Sequence, residues 1–192
     1  MKHGRRGLGI AESYRGDEGA TSTLGGAVLR AEGTLEDVVF ETCTVGSLDA
    51  TAAVVDCFQR LDRPDVRYLF LSGVAPAWYN VLDLEAIATA VDRPVFAVGY
   101  EESPGLAAAI ESAFDGEARH RRLRRYRSLP TRQRYSIDGR TVFCRSVGLD
   151  DDAENPKTIL RAYAEDGRIE PLRVAKRVAS RGDRFRRRIS NA

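Results

Sequence analysis

The 192-residue chain carries 30 Lys+Arg against 28 Asp+Glu, a formal charge of +2, with 43% hydrophobic residues and three cysteines. This describes one globular domain with a real core; it excludes fibrous and disordered classes, and no apolar run approaches the roughly 20 residues that span a bilayer. Cys43, Cys57 and Cys144 show no CxxC spacing, which argues against a disulfide framework or zinc site and for a reducing cytoplasm, and the basic start MKHGRRGLGI leads into no signal-peptide pattern.

In chain order, residues 7–13 (GLGIAES) form a short apolar run ending at an acid, as a buried strand delivering Glu12 to its end would read. Residues 24–31 and 38–45 are β-rich runs joined by the polar turn 32–37, a predicted hairpin. Ser47 or Asp49 can cap a helix through about Leu61, which Pro64 and Asp65 end. Residues 66–71 are a nearly continuous apolar strand. A Gly/Pro-containing loop over 72–80, a helix over 82–91, a strand over 94–99 and a helix over 104–114 follow. Residues 119–127 are Arg-dense, a helix or an ordered loop; residues 135–143 carry a hairpin signal with Asp138-Gly139 at the turn. A helix is expected from Asp151 to Tyr163. Pro171 opens a last helix to about Ser180, before a basic tail over 181–192 expected to fray. A strand meander followed by strand, helix, strand, helix predicts an α/β fold: a mixed sheet with helices on both faces, ribonuclease-H-like or akin to some Rossmann relatives, in a single domain over 1–180. No G-x-G-x-x-G lies between a strand and a helix, and no P-loop is present.

The near-neutral total hides a division. Residues 7–118 hold 6 basic and 19 acidic residues, net −13; residues 119–145 hold 10 Arg against Asp138 alone, net +9; residues 173–192 hold 8 against 1, net +7. Because local field steers a phosphate backbone, two basic blocks on an acidic body suit nucleic acid, with solvated helix faces as the plain alternative. Arg121, Arg122, Arg124 and Arg125 in the first block and Arg173 in the second are the candidate contacts.

His3 and His120 are the only histidines, the second inside an Arg run, so a Ser/His/Asp or Cys/His apparatus is disfavoured. Carboxylates holding a divalent ion near a phosphodiester remain. Glu12, Asp17, Glu18, Asp49 and Asp83 stand at element ends, and Glu12 is the strongest candidate because its strand end points it toward a sheet crevice. For Asp49 and Asp83, helix capping competes with catalysis. Trp78 and Tyr79, beside Asn80 in a loop, can stack on an unpaired base while the amide reads its edge, or simply pack beneath the loop.

Residues 4–10 (GRRGLGI), 44–51 (TVGSLDAT), 70–74 (FLSGV) leading to 79–84 (YNVLDL), and 167–175 (GRIEPLRVA) resemble the archaeal endonuclease dU family, which is similar to endonuclease V. The resemblance implies a ribonuclease-H-like fold and Mg²⁺- or Mn²⁺-dependent cleavage of DNA at deoxyuridine, a deaminated base, in DNA repair. It makes Glu12 the implied principal metal ligand and Asp49 or Asp83 its assistants. The chain departs from the family pattern at three places: Ala11 stands where an acid is typical, Ser72 replaces the Asp of Leu-Asp-Gly, and Lys176 replaces a His. A catalytically silent nucleic-acid-binding protein is the alternative these departures open. A scaffold whose basic tail recruits an acidic protein is a third reading.

Overall fold

The computed structural model describes residues 5–14, 16, 18–149 and 155–190; His3, Asp17 and the expected helix start at Asp151 lie outside them. β1 (Arg6–Ser13), β2 (Thr21–Arg30) and β3 (Leu35–Thr44) form the antiparallel meander. After it come α1 (Ala50–Leu61), β4 (Val66–Ser72), the single turn α2 (Pro76–Tyr79), α3 (Leu84–Val91) and β5 (Val95–Gly99), with β1, β4 and β5 parallel. α4 (Ala107–Ala113) and α5 (Gly116–Arg127) lead to the hairpin β6 (Gln133–Ile137) and β7 (Arg140–Val147). α6 (Pro156–Ala162), the small hairpin β8 (Ala164–Glu165) with β9 (Arg168–Ile169), and α7 (Glu170–Ser190) complete the chain. The large sheet runs β3-β2-β1-β4-β5-β7-β6.

β4 reads as continuously apolar because both its faces are covered. Leu69 and Leu71 pack with Leu8, Ile10, Val54 and Ile87 under α1 and α3, while Tyr68 and Phe70 join Phe96, Ile159, Tyr163 and Leu172 under α6 and α7. Full burial of such side chains stabilises by about 1.5–3 kcal/mol each. Turn chemistry also follows the residues: Asp138 and Gly139 both take positive φ (47° and 79°), as a two-residue hairpin turn requires.

α7 differs from the expected short helix with a frayed tail. It continues unbroken to Ser190. Gly9 and Gly25 admit it: a Cβ at Gly9 would stand 2.3 Å from the Pro171 carbonyl, and one at Gly25 would stand 2.4 Å from the Ala179 nitrogen. Beyond Ser180, fully buried Asp183 holds the helix to β2, accepting from Thr23 Oγ1 at 3.3 Å and pairing with Arg186 and Arg187. Arg186 also donates to the Thr21 carbonyl. The repulsion expected to fray this segment is therefore partly neutralised from within.

The three cysteines are buried and free. Burial pushes each thiol up to about 12, so none is poised as a nucleophile. Among the described residues, no helix is long and apolar enough to cross a membrane.

Candidate functional site

The site lies where β1 and β4 end. On β1, Glu12 follows the alternation of Leu8 and Ile10, which places its carboxylate on the α1 side of the sheet; Ser72 follows Tyr68 and Phe70 on the α7 side. The Glu12 carboxylate accepts the Ala77 N–H at 2.6 Å and the Ser22 hydroxyl at 3.2 Å. Burial raises its pKa, against the lowering pull of the Ala77 N–H, of the Lys176 charge and of Ser22. Lys176, from α7, donates to the Glu12 backbone carbonyl at 2.7 Å.

The turn that Glu12 holds is unusual. Ala77, Trp78 and Tyr79 have φ of 47°, 56° and 56°, three successive non-glycine residues in the left-handed region. Such a run persists only where its surroundings over-determine it. Glu12 pins its start. Asn80, fully buried, pins its end: its Oδ1 accepts the Ala50 N–H at 3.0 Å, and its Nδ2 donates to the Thr44 carbonyl at 3.0 Å and to Asp49 at 2.6 Å. Both Asp49 oxygens also accept the Thr44 N–H, at 3.1 and 3.0 Å. From beneath, buried Arg122 donates to the carbonyls of Tyr79 (3.2 Å), Ala118 (2.9 Å), Ser47 (3.3 Å) and Gly46, and its guanidinium lies 3.8 Å from the Phe114 ring centroid.

Several candidate residues thereby acquire other roles. Asn80 has no polar atom left for a base edge. Trp78 and Tyr79 pack on Phe114, with ring centroids 5.0 and 6.0 Å away. Asp49 occupies the N-cap of α1 without capping it; the Asn80 amide oxygen does so instead. Asp83 does cap, accepting the Ala86 N–H at 3.0 Å. Arg122 is a buried clamp, and Arg125 donates to the Leu48 and Val81 carbonyls. Arg121 and Arg124 are exposed and line a separate hollow of about 450 Å³.

This arrangement does not fit a divalent metal. Glu12, Asp49 and Asp83 are engaged with separate N–H groups, Ser72 offers an uncharged oxygen, and an ammonium lies against Glu12. Among the described residues no group of three or more His, Cys, Asp or Glu could hold a metal ion.

What the fold builds instead is a cationic cleft of about 1180 Å³ along α7. Arg173, Lys176, Arg177, Arg181 and Arg184 line it from the helix, Arg140 and Arg168 from the facing hairpins, and Glu101 is its single acid among the described residues. Arg173 is paired with Glu170, but among the described residues no acid pairs with Arg177, Arg181 or Arg184. Ser72 joins this cleft to a second hollow of about 260 Å³, which Glu12, Tyr126 and Phe143 also line. Arg132 lies 4.0 Å from the Phe143 ring centroid and Arg145 lies 5.6 Å from that of Tyr126. Of the cleft cations only Arg173 stood among the sequence candidates. The i, i+4, i+8 spacing of Arg173, Arg177 and Arg181 was the available signal.

A protein-family model described as Endonuclease dU matches residues 3–182. A UPF0215 protein of Pyrobaculum calidifontis is 36% identical over 176 residues, covering 90% of this chain and 94% of its own. Among solved structures, a protein of unknown function from Archaeoglobus fulgidus superposes with a TM-score of 0.78 at 20% identity, covering 92% of this chain and 96% of that one. Endonuclease V of Ciona intestinalis, solved with a DNA containing an inosine, superposes with a TM-score of 0.57 at 12% identity, over 95% and 87% of the two chains. The fold is thus the α/β, ribonuclease-H-like one, with its mixed sheet covered on both faces.

Proposed function

The chain belongs to the endonuclease dU family, and on that premise we propose that it binds DNA along the α7 cleft and takes an unpaired, deaminated base into the adjoining hollow, deoxyuridine by the name of its family. The charge of the cleft carries this reading: among the described residues, seven basic side chains face one acid across about 1180 Å³. Such a surface displaces the counterions condensed on DNA phosphates, whatever the sequence of the strand. The α7 cations recur at each helical turn from Arg173 to Arg184, a reach of about 16 Å at 1.5 Å per residue. The hollow beside them combines two aromatic side chains with two arginines, the means by which an unstacked base is held.

Incision of the strand at deoxyuridine is the second reading, favoured by family membership and by a half-buried carboxylate lining that hollow. Among the described residues the carboxylates do not assemble a holder for a metal. A labelled duplex carrying one deoxyuridine, compared with an undamaged duplex at low salt, separates the readings. Tighter binding of the uracil duplex without incision in Mg²⁺ or Mn²⁺ is expected. No binding to either duplex would sink the proposal, and a cut product lost in Glu12→Gln would establish the second reading.

A further inference from the structure

Within the cleft, the position where an acid-lined nuclease would hold a metal carries an amine. Lys176 donates one N–H to the Glu12 carbonyl at 2.7 Å, and an ammonium has two more to give. Its anchor is a backbone oxygen at the end of β1, which neither titrates nor changes rotamer. Around it the cleft offers Ser72, Arg173 and Arg177, an environment that repels a hard dication and attracts an oxyanion.

We infer that Lys176 is the resident cation of this site, holding a phosphodiester oxygen of bound DNA at the end of β1 where a divalent ion would otherwise be required. The inference rests on the DNA-binding reading above and deepens it: phosphate recognition here is independent of metal. Ser72 and the remaining two Lys176 N–H groups form the local site, and Arg173 and Arg177 extend it along the strand.

The test has two arms. In the first, Mn²⁺ alone is titrated into the full chain and followed by electron paramagnetic resonance. The expected result is no uptake at about millimolar metal, whereas a bound Mn²⁺ that Glu12→Gln releases overturns the inference. In the second, fluorescence anisotropy with the uracil-containing duplex is read in EDTA and in Mg²⁺, for wild type, Lys176→Met and Lys176→Arg. Wild-type affinity in EDTA should be no weaker than in Mg²⁺, which competes for the phosphates. Lys176→Met, at an exposed position and checked for an intact fold by circular dichroism, should weaken binding about tenfold at 0.1 M salt and lower the salt slope by about one. Lys176→Arg should retain most of the affinity. Loss of wild-type binding in EDTA, or wild-type affinity in Lys176→Met, overturns the inference while leaving DNA binding standing; absence of wild-type binding under every condition removes the DNA-binding reading itself.

Discussion

Among the described residues no acid forms an ion pair with Arg122, yet its guanidinium is buried, because four backbone carbonyls and the Phe114 ring replace the water it loses. Burial lowers its pKa. Those carbonyls belong to the segments that fix the left-handed turn, so the residue acts by positioning Trp78 and Tyr79. Arg122→Met leaves the carbonyls unsatisfied and should destabilise by about 2–3 kcal/mol. Because Trp78 is the only tryptophan, its fluorescence reports the turn directly: emission should shift to the red in Arg122→Met before global unfolding, and unchanged emission would contradict the clamp. Sequence marked Arg122, Asp49 and Asn80 by type and position alone. What turns them inward is long-range, a buried network joining positions 44–50 to 76–80 and 122, and no local spacing encodes it. Glu12 was legible as the acid at a strand end, but its grip on the Ala77 N–H was not.

At the scale of elements, β1, β4, the hairpins and most helices follow from periodicity and turn residues, since burial on one or both faces leaves a period in the sequence. Asp166 and Gly167, with φ of 49° and 71°, repeat the Asp-Gly signal of the β6–β7 turn and would have revealed β8–β9. The length of α7 was hidden. Charge density alone argues for fraying, whereas the deciding features are two strand glycines and one buried acid 160 residues from its Thr23 partner. Gly25→Ala would push a methyl into the α7 backbone and should destabilise by about 1–3 kcal/mol, with a lowered denaturation midpoint. A midpoint equal to wild type would show that α7 does not rest on β2 as described. For the same reason, deleting residues 181–192 removes part of a packed helix along with its charge, so a loss of DNA affinity in that deletion must be read beside its stability.

Over the whole molecule the charge is arranged by end and by face. At the end of the sheet away from the cleft, Glu36 accepts from Arg6, Arg63 and Arg30, and these bonds, Arg6 first, lower its pKa from 4.5 to about 2. The ionised carboxylate is therefore favoured by folding: its contribution is complete above pH 4.5 and is lost as pH falls toward 2. Urea denaturation across that window should show Glu36→Gln less stable than wild type at neutral pH, with the two curves converging in acid. Parallel curves would remove Glu36 from the acid response. The cleft is the opposite case: seven cations line it with Glu101 as the one acid among the described residues. We propose that Arg177, Arg181 and Arg184, with which no acid among the described residues pairs, meet phosphates, and the most direct measurement is the salt dependence of DNA affinity for wild type and for Arg177→Ser/Arg181→Ser/Arg184→Ser. The triple variant should lose about three from the slope of log affinity against log salt. An unchanged slope would contradict it.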